Sequence, residues 1–278
     1  MKHIMYVFSG TGNTLHIAKL VKNSIIGDKA IIQSIDGRNN KREVKDINAD
    51  IIGIYFPCYY GSIPNIVKSF VSQMKINKDT YVYSVATAGG NTGYGNKEIS
   101  KLLEQKGITL SFGADIIYSS NYMPGWYYKR VFKSQEEVKS RINKFIEETE
   151  KIARNIVNRE KVSIKGSYLG YHMPRIMSAS YLVKDSRPHD REFTIGDNCN
   201  NCRLCVKVCP VGNIKIENEQ HLFKHNCQRC MACVQYCPRQ AFEVKGKPMN
   251  KERYVNPFIS VKEVIDFHQG NANSSIDI

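Results

Sequence analysis

The sequence predicts an α/β protein, a five-stranded parallel sheet wound on both faces by helices, followed by a small α+β module built around cysteines. Three observations predict it. Strand-length apolar runs alternate with helix-period patterns through residues 1–158. A loop rich in glycine and hydroxyls stands at the first strand-to-helix junction. A four-cysteine run occurs twice near the C-terminus, and eight of the nine cysteines belong to it.

The elements follow in order. "HIMYVF" is an apolar run of strand length, and "LHIAKLVKNSI" is helical, with Leu15, Ile17, Ala18, Val21 and Ile25 on about one face. "KAIIQSI" and "DIIGIYF" are the second and third strands. "IPNIVKSFVSQM" spaces Ile63, Ile66, Val67, Phe70, Val71 and Met74 as a helix does. "TYVYSVATA" is the fourth strand, "NKEISKLLEQKG" a helix stopped by Gly107, and "GADIIYSS" the fifth strand. Residues 134–160 read as one long charged helix carrying Val138, Ile142, Phe145, Ile146, Ile152 and Ile156. Strict alternation of this kind implies a parallel sheet with both faces covered. Residues 159–196 lose the pattern and read as a connecting segment, 197–260 as the cysteine module, and 261–278 as a tail with one short helix, "VKEVIDF", that frays beyond it.

The cysteine runs are "CNNCRLCVKVCP" and "CQRCMACVQYCP", each C-x2-C-x2-C-x3-C-P. Three thiolates of one tight loop can face one cubane, while the fourth, fixed by the following proline, points away. Zinc also uses C-x2-C pairs, but as two separated pairs rather than two copies of a four-cysteine run. Residues 195–247 resemble the bacterial two-cluster ferredoxins, including "PVGNIKI" and "PRQAFEV" after each run. In that pattern the fourth cysteine of each run crosses to the other cluster. One [4Fe-4S] cluster then takes Cys199, Cys202, Cys205 and Cys237, and the other Cys227, Cys230, Cys233 and Cys209.

"SGTGNT" sits where anions bind, at a strand-to-helix junction. Gly10 and Gly12 let the backbone approach closely, and Ser9, Thr11, Asn13 and Thr14 add short side-chain donors, which suits a terminal phosphate. A dinucleotide fold is the competing reading, with Asp36 as its ribose acid, but Leu15 stands where that fingerprint wants Gly or Ala. "FSGTGNTLHIAKLV" resembles the flavodoxin phosphate loop, with Ser9, Gly12, Thr14, Ala18 and Val21 at the family's intervals. The resemblance implies FMN at the sheet's switch point. It implies a first ring loop of Pro57, Cys58, Tyr59, Tyr60 and Gly61. It implies a second of Thr87, Ala88, Gly89, Gly90, Asn91, Gly93, Tyr94 and Gly95. The domain departs from typical flavodoxins in being basic and in having its only tryptophan, Trp126, elsewhere, in the aromatic stretch "SSNYMPGWYYKRVF". That stretch could cover the flavin, shape a substrate pocket or pack on the cysteine module.

As a whole the chain resembles the flavodoxin–ferredoxin fusion proteins of anaerobic bacteria and archaea. The resemblance implies an electron-transfer oxidoreductase linking low-potential one-electron carriers to FMN through two clusters. The alternatives are an FMN-dependent reductase of a quinone, nitro compound or activated alkene, and a non-catalytic redox sensor. Net charge is +14, divided as +8, +3 and +3 among residues 1–158, 159–196 and 197–278, with no run of five like charges. That is a solvated lysine-rich surface rather than a nucleic-acid platform. Two clusters and a flavin phosphate reduce it to about +8, with the excess on the N-terminal half. The expected partner is therefore an acidic carrier of ferredoxin or flavodoxin type, or a small-molecule acceptor. No apolar run is long enough to span a membrane, and cysteines in C-x2-C spacing suggest a cytoplasmic setting. The histidines, His3 and His16 among them, show no ligand spacing. Cys58 lies outside both quartets and has no histidine paired with it in sequence, so it is expected to be a small filler in the first ring loop.

Overall fold

The computed structural model describes residues 1–25, 30–35, 47–121, 133–164, 189–245 and 252–270. Asp36, Trp126 and most of the connecting segment lie outside these residues.

Strands β1 (His3–Val7), β2 (Ile31–Ser34), β3 (Ile51–Pro57), β4 (Tyr81–Ala88) and β5 (Leu110–Ile117) form one parallel sheet in the order β2-β1-β3-β4-β5. This 2-1-3-4-5 order is the flavodoxin-like one. β1 and β4 are buried along their whole length, and β3 up to Phe56. Burial on both faces is why these strands read as continuous apolar runs rather than alternating ones. Helices α1 (Asn13–Ser24), α2 (Asn65–Gln73) and α3 (Gly95–Glu104) connect them.

Two elements differ from the sequence reading. β5 starts three residues early, at Leu110, because Leu110 and Phe112 are both drawn into the core beside β4. The expected long helix is two, α4 (Gln135–Ser140) and α5 (Ile142–Val157). The break is at Arg141, whose guanidinium donates to the carbonyls of Ile117 (2.9 Å) and Tyr118 (3.2 Å) at the end of β5. Helix propensity gives way there to capping a buried strand end.

The cysteine module has two small antiparallel sheets. β6 (Phe193–Ile195) pairs with β9 (Phe242–Val244), and β7 (Ile214–Glu217) with β8 (Gln220–Phe223). Each cysteine run enters a short helix, α6 (Leu204–Val208) or α7 (Ala232–Gln235). The internal repeat holds at the level of the backbone. Asn201 and Arg229, at one repeat position, have φ of 52° and 54°, and Arg203 and Met231, at another, 60° and 61°. Left-handed turns at non-glycine residues are uncommon, and here they curl both runs the same way.

Helix α8 (Val261–Gln269) begins with a capping box between Ser260 and Glu263 and ends at Gly270, φ 73°. His268, beyond the residues expected to be helical, is 1% exposed, so the helix is packed to its end.

Candidate functional site

Strand order reverses between β1 and β3, and the loops after β1, β3 and β4 meet at that carboxyl edge. The first loop is a buried donor array. Ser9 to Thr14 are all buried, and the backbone N–H groups of Gly10, Thr11, Gly12, Asn13 and Thr14 have no acceptor among the described residues. Buried backbone donors are rarely left unpaired, and five at the start of a twelve-residue helix fit an anion such as a phosphate monoester. The side chains have protein partners of their own. Ser9 Oγ accepts from Leu15 N, Thr14 Oγ1 pairs with Thr87 Oγ1 (2.8 Å), and Thr11 Oγ1 accepts from Asn121 Nδ2. Asn13 donates to the Ser119 carbonyl and accepts from Tyr254 Oη (2.7 Å) and Asn256 Nδ2 (2.8 Å). Ser9 and Thr11 accept in these bonds and keep their own hydroxyl hydrogens to donate, beside the five backbone N–H groups.

The loops after β3 and β4 lie against each other. Tyr94 N donates to the Gly61 carbonyl, and a Cβ on Gly93 would fall 2.5 Å from Gly61 Cα. Only glycine allows that approach. Cys58 N donates to the Thr87 carbonyl (2.7 Å), and its sulfur faces Gly95, where an added Cβ would be 2.5 Å away. Burial, with Asp115 and Glu98 nearby, pushes the Cys58 thiol well above its ordinary range and keeps it protonated. Asp115 itself is raised by burial and is held by Asn96 Nδ2 (2.9 Å).

The eight remaining cysteines fall into two groups around separate spaces. Cys199, Cys202, Cys205 and Cys237 line one, together with Arg203, Arg239 and His221. Cys209, Cys227, Cys230 and Cys233 line another. Among the described residues no group of three or more His, Cys, Asp or Glu is arranged to hold a single metal ion. Burial pushes the Cys205 and Cys227 thiols up to about 12, so thiolates there need a cationic centre to face.

The two quartets look alike in sequence and are unlike in place. Cys202 is exposed, whereas Cys230 is buried against the first loop. A Cβ on Gly10 would lie 2.6 Å from Cys230 Cβ. Around that contact Tyr236 Oη donates to the Thr11 carbonyl (3.1 Å), Asn121 Nδ2 to the Cys230 carbonyl (3.1 Å), and Ile66 N to Gln228 Oε1 (3.0 Å). The C-terminal strap closes the junction. His268 sets Nε2 2.7 Å from the Ser9 carbonyl and Nδ1 3.1 Å from that of Val208, next to Cys209. Sequence reasoning missed Tyr254, Asn256 and His268, since no motif marks them; the apolar spacing of residues 261–267 was the local sign of a helix nearby.

Residues 193–238 match the family model of the 4Fe-4S dicluster domain. The chain thus joins a flavodoxin-like sheet to a dicluster domain. No curated protein matches its sequence. Among solved structures it is similar to a flavodoxin from the domain Archaea, with 16% identity over 57% of this chain and 98% of that one, TM-score 0.39. It is similar to oxidised Flavodoxin 1 from Bacillus cereus, with 14% identity over 57% and 98%, TM-score 0.40. It is also similar to rubredoxin oxygen:oxidoreductase from Desulfovibrio gigas, with 10% identity over 57% and 36%, TM-score 0.37. Likeness at that level is slight, and the strand order itself carries the fold. No helix among the described residues is long and apolar enough to cross a membrane.

Proposed function

We propose that the chain is an electron-transfer iron–sulfur flavoprotein that passes electrons between two [4Fe-4S] clusters and FMN, coupling low-potential one-electron carriers to a flavin. The contact of Gly10 with Cys230 carries this reading, because it sets one cysteine quartet directly against the anion-binding loop. Each quartet lines a space of its own, and two copies of a four-cysteine run suit polynuclear clusters better than single zinc ions. Cys209, Cys227, Cys230 and Cys233 hold the inner cluster, and Cys199, Cys202, Cys205 and Cys237 the outer one. Clusters move single electrons, and a flavin supplies the ability to take one or two.

The chain's own residues position these groups. The backbone N–H groups of Gly10 to Thr14 hold the flavin phosphate, and the loops at Pro57–Gly61 and Thr87–Gly95 border the ring. Cys58 fills space between those loops with its proton retained. Residues 1–158 form the flavin domain, 159–196 a connection, 197–260 the dicluster domain and 261–278 the tail whose helix locks the two together. An acidic carrier docks at the outer rim, where Arg203 and Arg239 flank exposed Cys202. This moves the docking site from the N-terminal half, where the charge balance alone puts it.

Anaerobic purification tests the proposal. About eight iron atoms and one FMN per chain are expected, with faster reduction by a ferredoxin than by NAD(P)H. Protein that holds clusters without FMN defeats the flavoprotein reading. Direct turnover of a quinone or nitro compound favours the reductase instead.

A further inference from the structure

His221 belongs to neither cysteine run, yet it borders the same space as Cys199, Cys202, Cys205 and Cys237. Its Nε2 lies 3.7 Å from Cys205 Sγ, and no other hydrogen bond competes for that nitrogen among the described residues. Sulfur is larger than oxygen, so an N–H···S bond is longer than an N–H···O one. The hairpin of β7 and β8 holds the ring there. Asn218 and Glu219, at φ 48° and 63°, form its two-residue turn, and Glu217 pairs with Gln220 across it. Two left-handed residues make the primed turn of tight hairpins, which fixes the register. In that register His221 stands opposite Ile216, and the strand's alternation turns His221 and Phe223 inward while Gln220 and Leu222 are exposed. The imidazole meets buried Phe242 edge-on, at 90° with 6.1 Å between centroids. The inner space is lined by two side-chain amides, Asn213 and Gln228, and both donate elsewhere. Asn213 Nδ2 donates to Asp190 (2.8 Å), and Gln228 Nε2 to the Asn226 carbonyl (3.0 Å). Backbone N–H groups serve both quartets, Asn213 N on Cys209 Sγ (3.2 Å) and Ala241 N on Cys237 Sγ (3.3 Å).

Resting on the reading above, we propose that His221 donates a hydrogen bond from Nε2–H to the Cys205 sulfur of the outer cluster and raises that cluster's reduction potential. A cluster-bound cysteine is a thiolate, which only accepts, so the nitrogen facing it carries the hydrogen. Reduction adds a negative charge to the cluster, and a donor to its sulfur favours that form. The hairpin between the two cysteine runs thereby makes the outer cluster a readier acceptor at the rim where a carrier docks. No histidine lines the inner space. His221 is a tuning residue, and it undergoes no chemical change in this role.

The test is His221→Phe in the full-length holoprotein, followed by electron paramagnetic resonance during redox titration. Phenylalanine keeps a ring against Phe242 and lacks the N–H. One cluster couple is expected to fall by about tenfold in electron affinity, 59 mV for one electron, while the other stays. Cys202→Ser, which alters or removes the outer cluster's signal, identifies the couple that moves. In wild-type protein labelled with 15N in its histidines, the reduced outer cluster should show a ring-nitrogen coupling that His221→Phe removes. Should His221→Phe lose iron, that wild-type coupling decides by itself. Unmoved potentials, equal shifts of both couples, a shift of the inner couple alone, or an outer cluster without the coupling overturn the proposal. Wild-type protein with well under about eight iron atoms per chain overturns the two-cluster reading itself, and this inference with it.

Discussion

Gly10 and Gly95 show how two missing side chains admit sulfur. At Gly10 the neighbour is Cys230, whose Cβ would be 2.6 Å and carbonyl oxygen 2.9 Å from an added Cβ. Gly10→Ala should cost about 1–3 kcal/mol and loosen the dicluster domain, read as a lower denaturation midpoint and faster proteolysis at the junction. At Gly95 the neighbour is the Cys58 sulfur. Gly95→Ala should destabilise alone and be partly rescued by Cys58→Ala, a coupling that a double-mutant cycle measures. Cys58→Ala by itself should leave the flavin spectrum unchanged if the thiol is filler. His16 gives a pH signature. Its Nδ1 is 2.8 Å from Tyr118 Oη and its ring stacks on Phe258, and burial first, then Lys19, lowers it from 6.5 to about 4. The unfolded chain then binds a proton that the native one refuses. Stability is fully present above pH 6.5 and falls as the pH drops towards 4, by on the order of 3 kcal/mol. Urea midpoints across that window should show the slope, and His16→Gln should flatten it.

Elements that look equivalent along the chain differ in what covers them. The two cysteine runs share spacing and left-handed positions, because both follow from local chain geometry. Hydrogen bonds from the sheet domain, at Thr11, Asn121 and Ile66 of α2, clasp α7 and its run. Helix α8 is the clasp's other jaw. Its start depends on Ser260 Oγ accepting from Glu263 N, so Ser260→Ala should cost about 1 kcal/mol in unfolding experiments. The Lys19–Glu263 ion pair is partly exposed, and its removal should cost well under that. The sequence shows α8 only as far as its apolar spacing runs. It does not show that Asn256, before the helix, bridges Asn13 and Tyr118 (2.8 and 3.0 Å), since those partners lie 243 and 138 residues away.

At the scale of the whole molecule the chain carries +14, and the proposed point of exchange is the rim of the outer quartet. Reduction by an acidic carrier should slow as salt rises, and Arg203→Glu with Arg239→Glu should slow it about tenfold at low salt while leaving iron content unchanged. Stopped-flow rates against ionic strength check both, and a flat profile would show docking elsewhere. By itself the sequence determined the parallel α/β class, the glycine turn after β1 and the repeated four-cysteine run. These are written in periodicity and spacing, which are local. Which quartet is inner and where Cys58 points were decided only by tertiary structure. Each depends on contacts such as Gly10 with Cys230, between residues 220 positions apart, and no periodicity connects positions that only folding brings together.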